Sequence, residues 1–325
     1  MSRSLRLLIT LFIVTVASAF ATDRAPTPAL TPPRDHKILI LGDSITQDGR
    51  YVSFLEYYLH RLTPGAKNDV ISIGLGSETV SGLTEPGHSY PRPVALARLG
   101  RALALTKPTL VFACYGMNDG IYHPPSTERR AAFAAGLDEL IRTVRATGAQ
   151  LILVTPPVFD PSPIPQRIAP PDSTEFGYGK TYARYDDVLA EFATIGLTRR
   201  TDGVAVIDLH TAMATALAAR RTANPQFTFA PDGVHPAELG HLLIAQTIAR
   251  GLGLTPPAGE LEPELARIQA DPLFPLVRDR RSLRSESWLA LVGYTRGDTF
   301  RSQENHAAER VAARLQTEID RLAQP

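Results

Sequence analysis

ILILGDSITQDGRY, residues 38–51, runs four apolar residues straight into Gly42, Asp43 and Ser44 before the chain turns polar. An unbroken apolar run that short, ended by turn residues, suits a strand buried on both faces, as in a parallel sheet. The residues just past the strand are ambiguous on their own. Gly-Asp-Ser reads equally as a turn with a helix cap, or as a serine held at a strand end for chemistry.

The chain beyond this stretch alternates. Strand-like runs cover 37–42, 69–76, 108–116, 149–157 and 204–210, and helix-like spacing covers 51–62, 92–106, 126–148, 182–199 and 236–253. Ser126 caps the third of these helices and Gly148 stops it. Five apolar strands interleaved with helices imply a parallel sheet covered on both faces, with right-handed crossovers. The fold expected is a flavodoxin-like three-layer α/β/α sandwich of about five strands with a helical C-terminal extension. Ligands of such sheets bind at the carboxyl ends of the strands.

The flanks read differently. Arg3 and Arg6, the apolar run Leu7 to Ala17 and small residues around Ala19 and Ala21 resemble a secretory signal over 1–21. That run is short for a membrane span, so an exported protein with no stable membrane insertion is expected. A Pro-rich linker (22–36), the main domain (37–253) and the extension (254–325) come next. A Pro-rich loop, 156–180, sits where a substrate rim or an inert surface loop would be. In the extension, Ala307, Val311, Leu315, Ile319 and Leu322 form a helical stripe expected to pack on the domain. Arg278 to Arg284 read as a solvated face, and Trp288 as a core residue. Thirty-four Lys and Arg against 33 Asp and Glu leave a net charge of +1, which argues against a nucleic-acid partner. The single cysteine, Cys114, excludes an internal disulfide and sits in an apolar run, as a buried small residue does.

A serine nucleophile needs a base, a group that orients the base, and donors for the oxyanion. Besides Ser44, the chain offers ISIGLGSETVSGL (71–83), CYGMNDG (114–120) and PDGVHP (231–236). Asn118 has a side-chain amide able to donate. Asp232 lies three residues before His235, and a carboxylate beside an imidazole fixes its tautomer. Each piece alone is also plausible turn chemistry. Together they supply every part of a serine hydrolase, each beside a strand end or a helix start.

In these blocks, GDSIT, IGLGSET, YGMND and DGVHP, the chain resembles the GDSL family of the SGNH hydrolase superfamily over about residues 37–252. The resemblance implies Ser44 as nucleophile, His235 as base and Asp232 as its orienter. It implies an oxyanion hole from the Ser44 N–H, the Asn118 side chain and a backbone N–H of the second block. There the chain departs from the family pattern: Ser77 stands at the usual glycine, with Gly76 one residue earlier, and either could donate. Asp43 is expected to be structural.

Competing motifs fail. There is no G-x-S-x-G, and Thr174 stands where a phosphate-binding loop ending in Gly179-Lys180-Thr181 needs glycine. Neither H-E-x-x-H nor a calcium-loop spacing occurs, and the mechanism requires no metal or organic cofactor. His88, Tyr90 and Tyr122 are candidate substrate contacts, as are Arg92, Tyr115 and His123 more weakly. The expected activity is an exported serine esterase acting on an ester substrate, an acetylated glycan foremost, with a lipid ester or thioester as the rival. A non-catalytic glycan-binding protein on the same fold is the alternative of another class. Oligomeric state is not encoded in any motif.

Overall fold

The computed structural model describes residues 30–201, 203–297 and 299–324. The signal-like segment and the first part of the Pro-rich linker lie outside the described residues. Five strands, β1 (Lys37–Gly42), β2 (Asp69–Ser72), β3 (Leu110–Cys114), β4 (Gln150–Val154) and β5 (Val204–Ile207), form one sheet in the order β2-β1-β3-β4-β5. All four pairings are parallel. Ile38 to Leu41 are buried completely, because helices cover both faces and leave no side for polar residues. This is the flavodoxin-like α/β order.

Helices α1 (Ser44–Asp48), α2 (Arg50–Leu62), α3 (Ala95–Thr106), α4 (Thr127–Arg145), α5 (Tyr185–Leu197), α6 (Leu209–Ala223) and α7 (Glu238–Gly251) supply that cover. α2 packs on α7, α3 on α4, and α4 on α5. Helix α6 lies in a stretch that sequence reading left unassigned; Asp208 caps it by accepting from the Thr211 N–H.

The register sets the site. Gly42 pairs with Cys114, so β1 and β3 end level and Ser44 and Asn118 emerge at the same edge. Beyond β2 the ladder continues through Ile73 N–H to Ile40 O and Leu75 N–H to Gly42 O, both 2.9 Å, which brings residues 76 and 77 to that edge too. Two glycines make this crowding feasible. A Cβ on Gly42 would meet Thr46 Oγ1 at 2.1 Å and Cys114 O at 2.9 Å, and one on Gly74 would meet Gln47 N at 2.3 Å.

The extension holds α8 (Leu261–Ala270), α9 (Leu273–Val292), a hairpin of β6 (Tyr294–Arg296) and β7 (Thr299–Arg301), and α10 (His306–Leu322). Helix α9 covers α2 and the edge strand β2. Here the sequence reading is corrected. Arg280, Arg281 and Arg284 are buried, not a solvated face. Arg280 faces Glu56 and Asp69, Arg284 pairs with Asp69 and Glu309, and Arg281 donates to Ser53 Oγ. A charge becomes a core residue when remote carboxylates neutralise it. The α10 stripe is also shifted: Ile319 and Ala312 are buried while Val311 is 48% exposed. Trp288 packs on the core and donates to Glu309. No described helix is long and apolar enough to cross a membrane.

Candidate active site

Ser44 opens α1 directly after β1, with Asp43 as the N-cap: Asp43 Oδ1 accepts from the Ile45 N–H at 3.0 Å. Asp43 is buried, which pushes its carboxyl up to about 7 against that N–H. It braces the turn, as expected of it. The loop between α6 and α7 brings Asp232 and His235 over this turn. Arg50 Nη2 donates to Pro236 O at 3.1 Å and ties that loop to the start of α2.

Three side chains form a relay. Ser44 Oγ and His235 Nε2 are 2.8 Å apart, and His235 Nδ1 and Asp232 Oδ2 are 2.7 Å apart. Asp232 Oδ1 accepts from the backbone N–H groups of Val234 (3.0 Å) and His235 (2.7 Å), so the carboxylate is aimed by its own loop. Burial pushes Asp232 up, but the imidazole and those two N–H groups outweigh it and hold the carboxyl well below the usual range. The hydrogen bond from Asp232 raises His235 above the ordinary histidine range, against burial. An imidazole so placed can take the serine proton, and the carboxylate stabilises the imidazolium that results.

Around this relay lie candidate donors. The Asn118 amide is held from two sides: Tyr122 OH donates to its Oδ1 at 3.0 Å, and its Nδ2 donates to Glu78 O at 3.2 Å. One Nδ2 hydrogen is then left over. Gly76 N–H donates to Gln47 Oε1 at 2.6 Å, whereas Ser77 N–H has no partner among the described residues. Ser77 adopts φ 66°, the left-handed region. Of the two residues that sequence left open, Ser77 carries the free N–H.

Below the second block lies a buried polar cradle that sequence reading missed. Arg98 binds Glu78 through Nε and Nη2, both at 2.6 Å, and Tyr115 OH donates to Glu78 Oε2 at 2.7 Å. Asp119 Oδ1 accepts from Val80 and Ser81 N–H, both at 2.8 Å, and so joins the third block to the second. Burial pushes Asp119 up to about 6. Both acids stand inside the quoted blocks, but Glu78 pairs with Arg98 outside them and Asp119 reaches the backbone of a different block, so spacing within a block carried no signal.

The weaker candidates separate. Tyr122 is corrected: it is 1% exposed and lies behind Asn118, not on a substrate wall. Tyr90 OH lies 3.4 Å from Ser77 Oγ, beside the site. Arg92 is buried and bound bidentately to Glu85. His88 and His123 line a cleft of about 660 Å³ with Glu85, Phe176, Tyr178 and Lys180. The Pro-rich loop supplies one wall of it. Tyr178 joins cleft and site, packing on Tyr122 at 5.3 Å and under the Arg167 guanidinium at 4.1 Å, while Arg167 Nη1 donates to Asp232 O at 3.2 Å. Burial pushes the Cys114 thiol up, which suits an inert residue. Among the described residues no cluster of three His, Cys, Asp or Glu is arranged to hold a metal ion.

A family model described as the GDSL-like Lipase/Acylhydrolase family matches residues 40–243. Among solved structures, two catalytic mutants of Axe2, an acetylxylan esterase from Geobacillus stearothermophilus, are similar at 18% and 19% identity. Each match covers 72% of this chain and 100% of that chain, with TM-score 0.51. BT4096, a gut microbial diltiazem-metabolizing enzyme, is 16% identical with TM-score 0.49; the match covers 69% of this chain and 48% of that one, so this chain spans about half its length. At such identities the likeness is one of fold. No curated protein matches the chain.

Proposed function

The chain belongs to the GDSL-like lipase/acylhydrolase family, and from that premise we propose that it is an exported serine esterase that removes O-acetyl groups from a carbohydrate. The observation that carries the reading is the unbroken relay from Ser44 Oγ through His235 to Asp232, at 2.8 and 2.7 Å. In this reading His235 takes the Ser44 proton as Oγ attacks the ester carbonyl. The oxyanion is held by the N–H groups of Ser44 and Ser77 and by Asn118 Nδ2. His235 then protonates the departing alcohol, and an acyl-serine remains. Water attacks that ester with His235 again as base, and Ser44 is regenerated.

The substrate class rests on the cleft beside Tyr178. It is open, and charged and imidazole groups alternate there with the rings of Phe176 and Tyr178. Aromatic faces next to hydrogen-bonding groups suit a sugar better than an acyl chain. Sharing a fold with an acetylxylan esterase points the same way. Export rests on the signal-like residues 1–21, and sequencing the N-terminus of the protein recovered outside the cytoplasm tests it.

The experiment is a panel of acetylated oligosaccharides set against acyl esters of rising chain length, with Ser44→Ala as control. Acetate release from the oligosaccharides, falling rates beyond short acyl chains, and no turnover by Ser44→Ala are expected. Preference for long acyl chains would displace the carbohydrate assignment. Full turnover by Ser44→Ala would displace the mechanism.

A further inference from the structure

We propose that Arg296, from the β6–β7 hairpin outside the matched family region, is a positioning residue for the oxyanion hole. The inference rests on the esterase reading, in which Ser77 N–H is a donor. Arg296 Nη2 donates to Gly76 O at 3.4 Å. That oxygen belongs to the same peptide group as the Ser77 N–H. In a trans peptide the carbonyl and the N–H point in opposite directions from one rigid plane. Whatever holds the oxygen therefore aims the hydrogen. A cation at the oxygen end also polarises the group and makes the N–H a better donor.

The other end of the segment is held as well, since Gly76 N–H donates to Gln47 Oε1 at 2.6 Å. The 76–77 backbone is thus clamped between α1, which carries Ser44, and the distant hairpin. The clamp lies against the nucleophile: a Cβ on Gly76 would stand 3.5 Å from Arg296 Nη2 and 3.9 Å from Ser44 Cβ. It matters most here because Ser77 is a non-glycine residue at φ 66°, a conformation that persists only where the surroundings hold it.

Arg296 is built to stay put. Its guanidinium lies 5.4 Å from the centre of the Tyr90 ring and 5.8 Å from that of Tyr294. The base of the hairpin is pinned to α3 by Arg101, which donates to Val292 O at 2.7 Å and Gly293 O at 2.9 Å.

The test uses the full-length chain and a short-acyl nitrophenyl ester, with kcat expressed per active site titrated by a fluorophosphonate. Arg296→Ala is expected to lower kcat per site about tenfold, a fraction of what losing a whole oxyanion donor costs, with KM little changed. Arg296→Lys, which keeps a charged donor, should recover part of the loss. Arg296→Met keeps the stem between the two rings but donates nothing; it should behave as Arg296→Ala and replaces it if that variant does not fold. An unchanged kcat per site in Arg296→Met overturns the proposal. So does a raised KM at constant kcat, which would make Arg296 a substrate contact. A wild-type chain that neither hydrolyses the ester nor takes up the probe overturns the esterase reading and this inference with it.

Discussion

Ser77 holds its backbone at φ 66°, where glycine is the easy choice and another residue costs about 1–3 kcal/mol. If its backbone N–H is the working group, Ser77→Gly should keep kcat within about threefold, because the donor survives the change. A loss of two orders of magnitude would instead implicate the hydroxyl, which lies 3.4 Å from Tyr90 OH. The relay makes a second prediction. Only neutral His235 can accept the Ser44 proton, and the Asp232 hydrogen bond raises its pKa. kcat/KM should therefore fall with decreasing pH, starting above the pH at which an ordinary histidine, of pKa about 6.5, would lose it. Asp232→Asn removes the main cause of the shift and leaves burial, so the inflection should move to lower pH. The plateau should drop by about two to four orders of magnitude. An inflection that stays in place would show that another group is being titrated. At this scale Ser44, Asn118, Asp232 and His235 were legible, because each stands beside a strand end or helix start at short range. The choice between Gly76 and Ser77 was not legible. It depends on which N–H Gln47 occupies, and that is backbone geometry.

At the scale of elements, strands and loops are joined by charges that composition cannot pair. Glu78 and Arg98, at 0% and 3% exposure, sit twenty residues apart and meet only because α3 packs beneath the second block. Removing one partner of a buried pair strands the other charge, so Glu78→Ala should destabilise the fold by about 3–5 kcal/mol in urea unfolding. A cost below about 1 kcal/mol would mean the pair behaves as a surface bridge. The five strands were readable because strands buried on both faces need continuous apolar runs. Helix α6 went unassigned: LHTAMATALAARRTA buries only Leu209, His210, Met213 and Leu217, and its alanines blur the apolar stripe. The α9 arginines misled for the opposite reason. Two of their neutralising carboxylates, Glu56 and Asp69, lie more than two hundred residues away, and the third, Glu309, comes from α10.

For the whole molecule, the extension is part of the domain. Helix α9 covers the edge strand β2, and Arg284 donates to Val70 O at 2.8 Å. Glu56, buried and pushed up to about 7, depends on the arginines of α9 for what charge it carries. A chain ending at Leu252 would expose the apolar face of α2 and an unpaired strand edge, so it should be insoluble or melt without cooperativity. A soluble truncated chain with a sharp thermal transition would make the extension dispensable to folding. The alternating pattern of strands and helices was visible to its end, but the hairpin beyond it and the approach of Arg296 to Gly76 were not. One side chain, Ser44, carries the proposed chemistry more than any other. Reaction of the full chain with a fluorophosphonate, followed by peptide mass mapping, should place a single adduct on Ser44 and lose it in His235→Ala; an adduct on another residue, or equal labelling in Ser44→Ala, would contradict it.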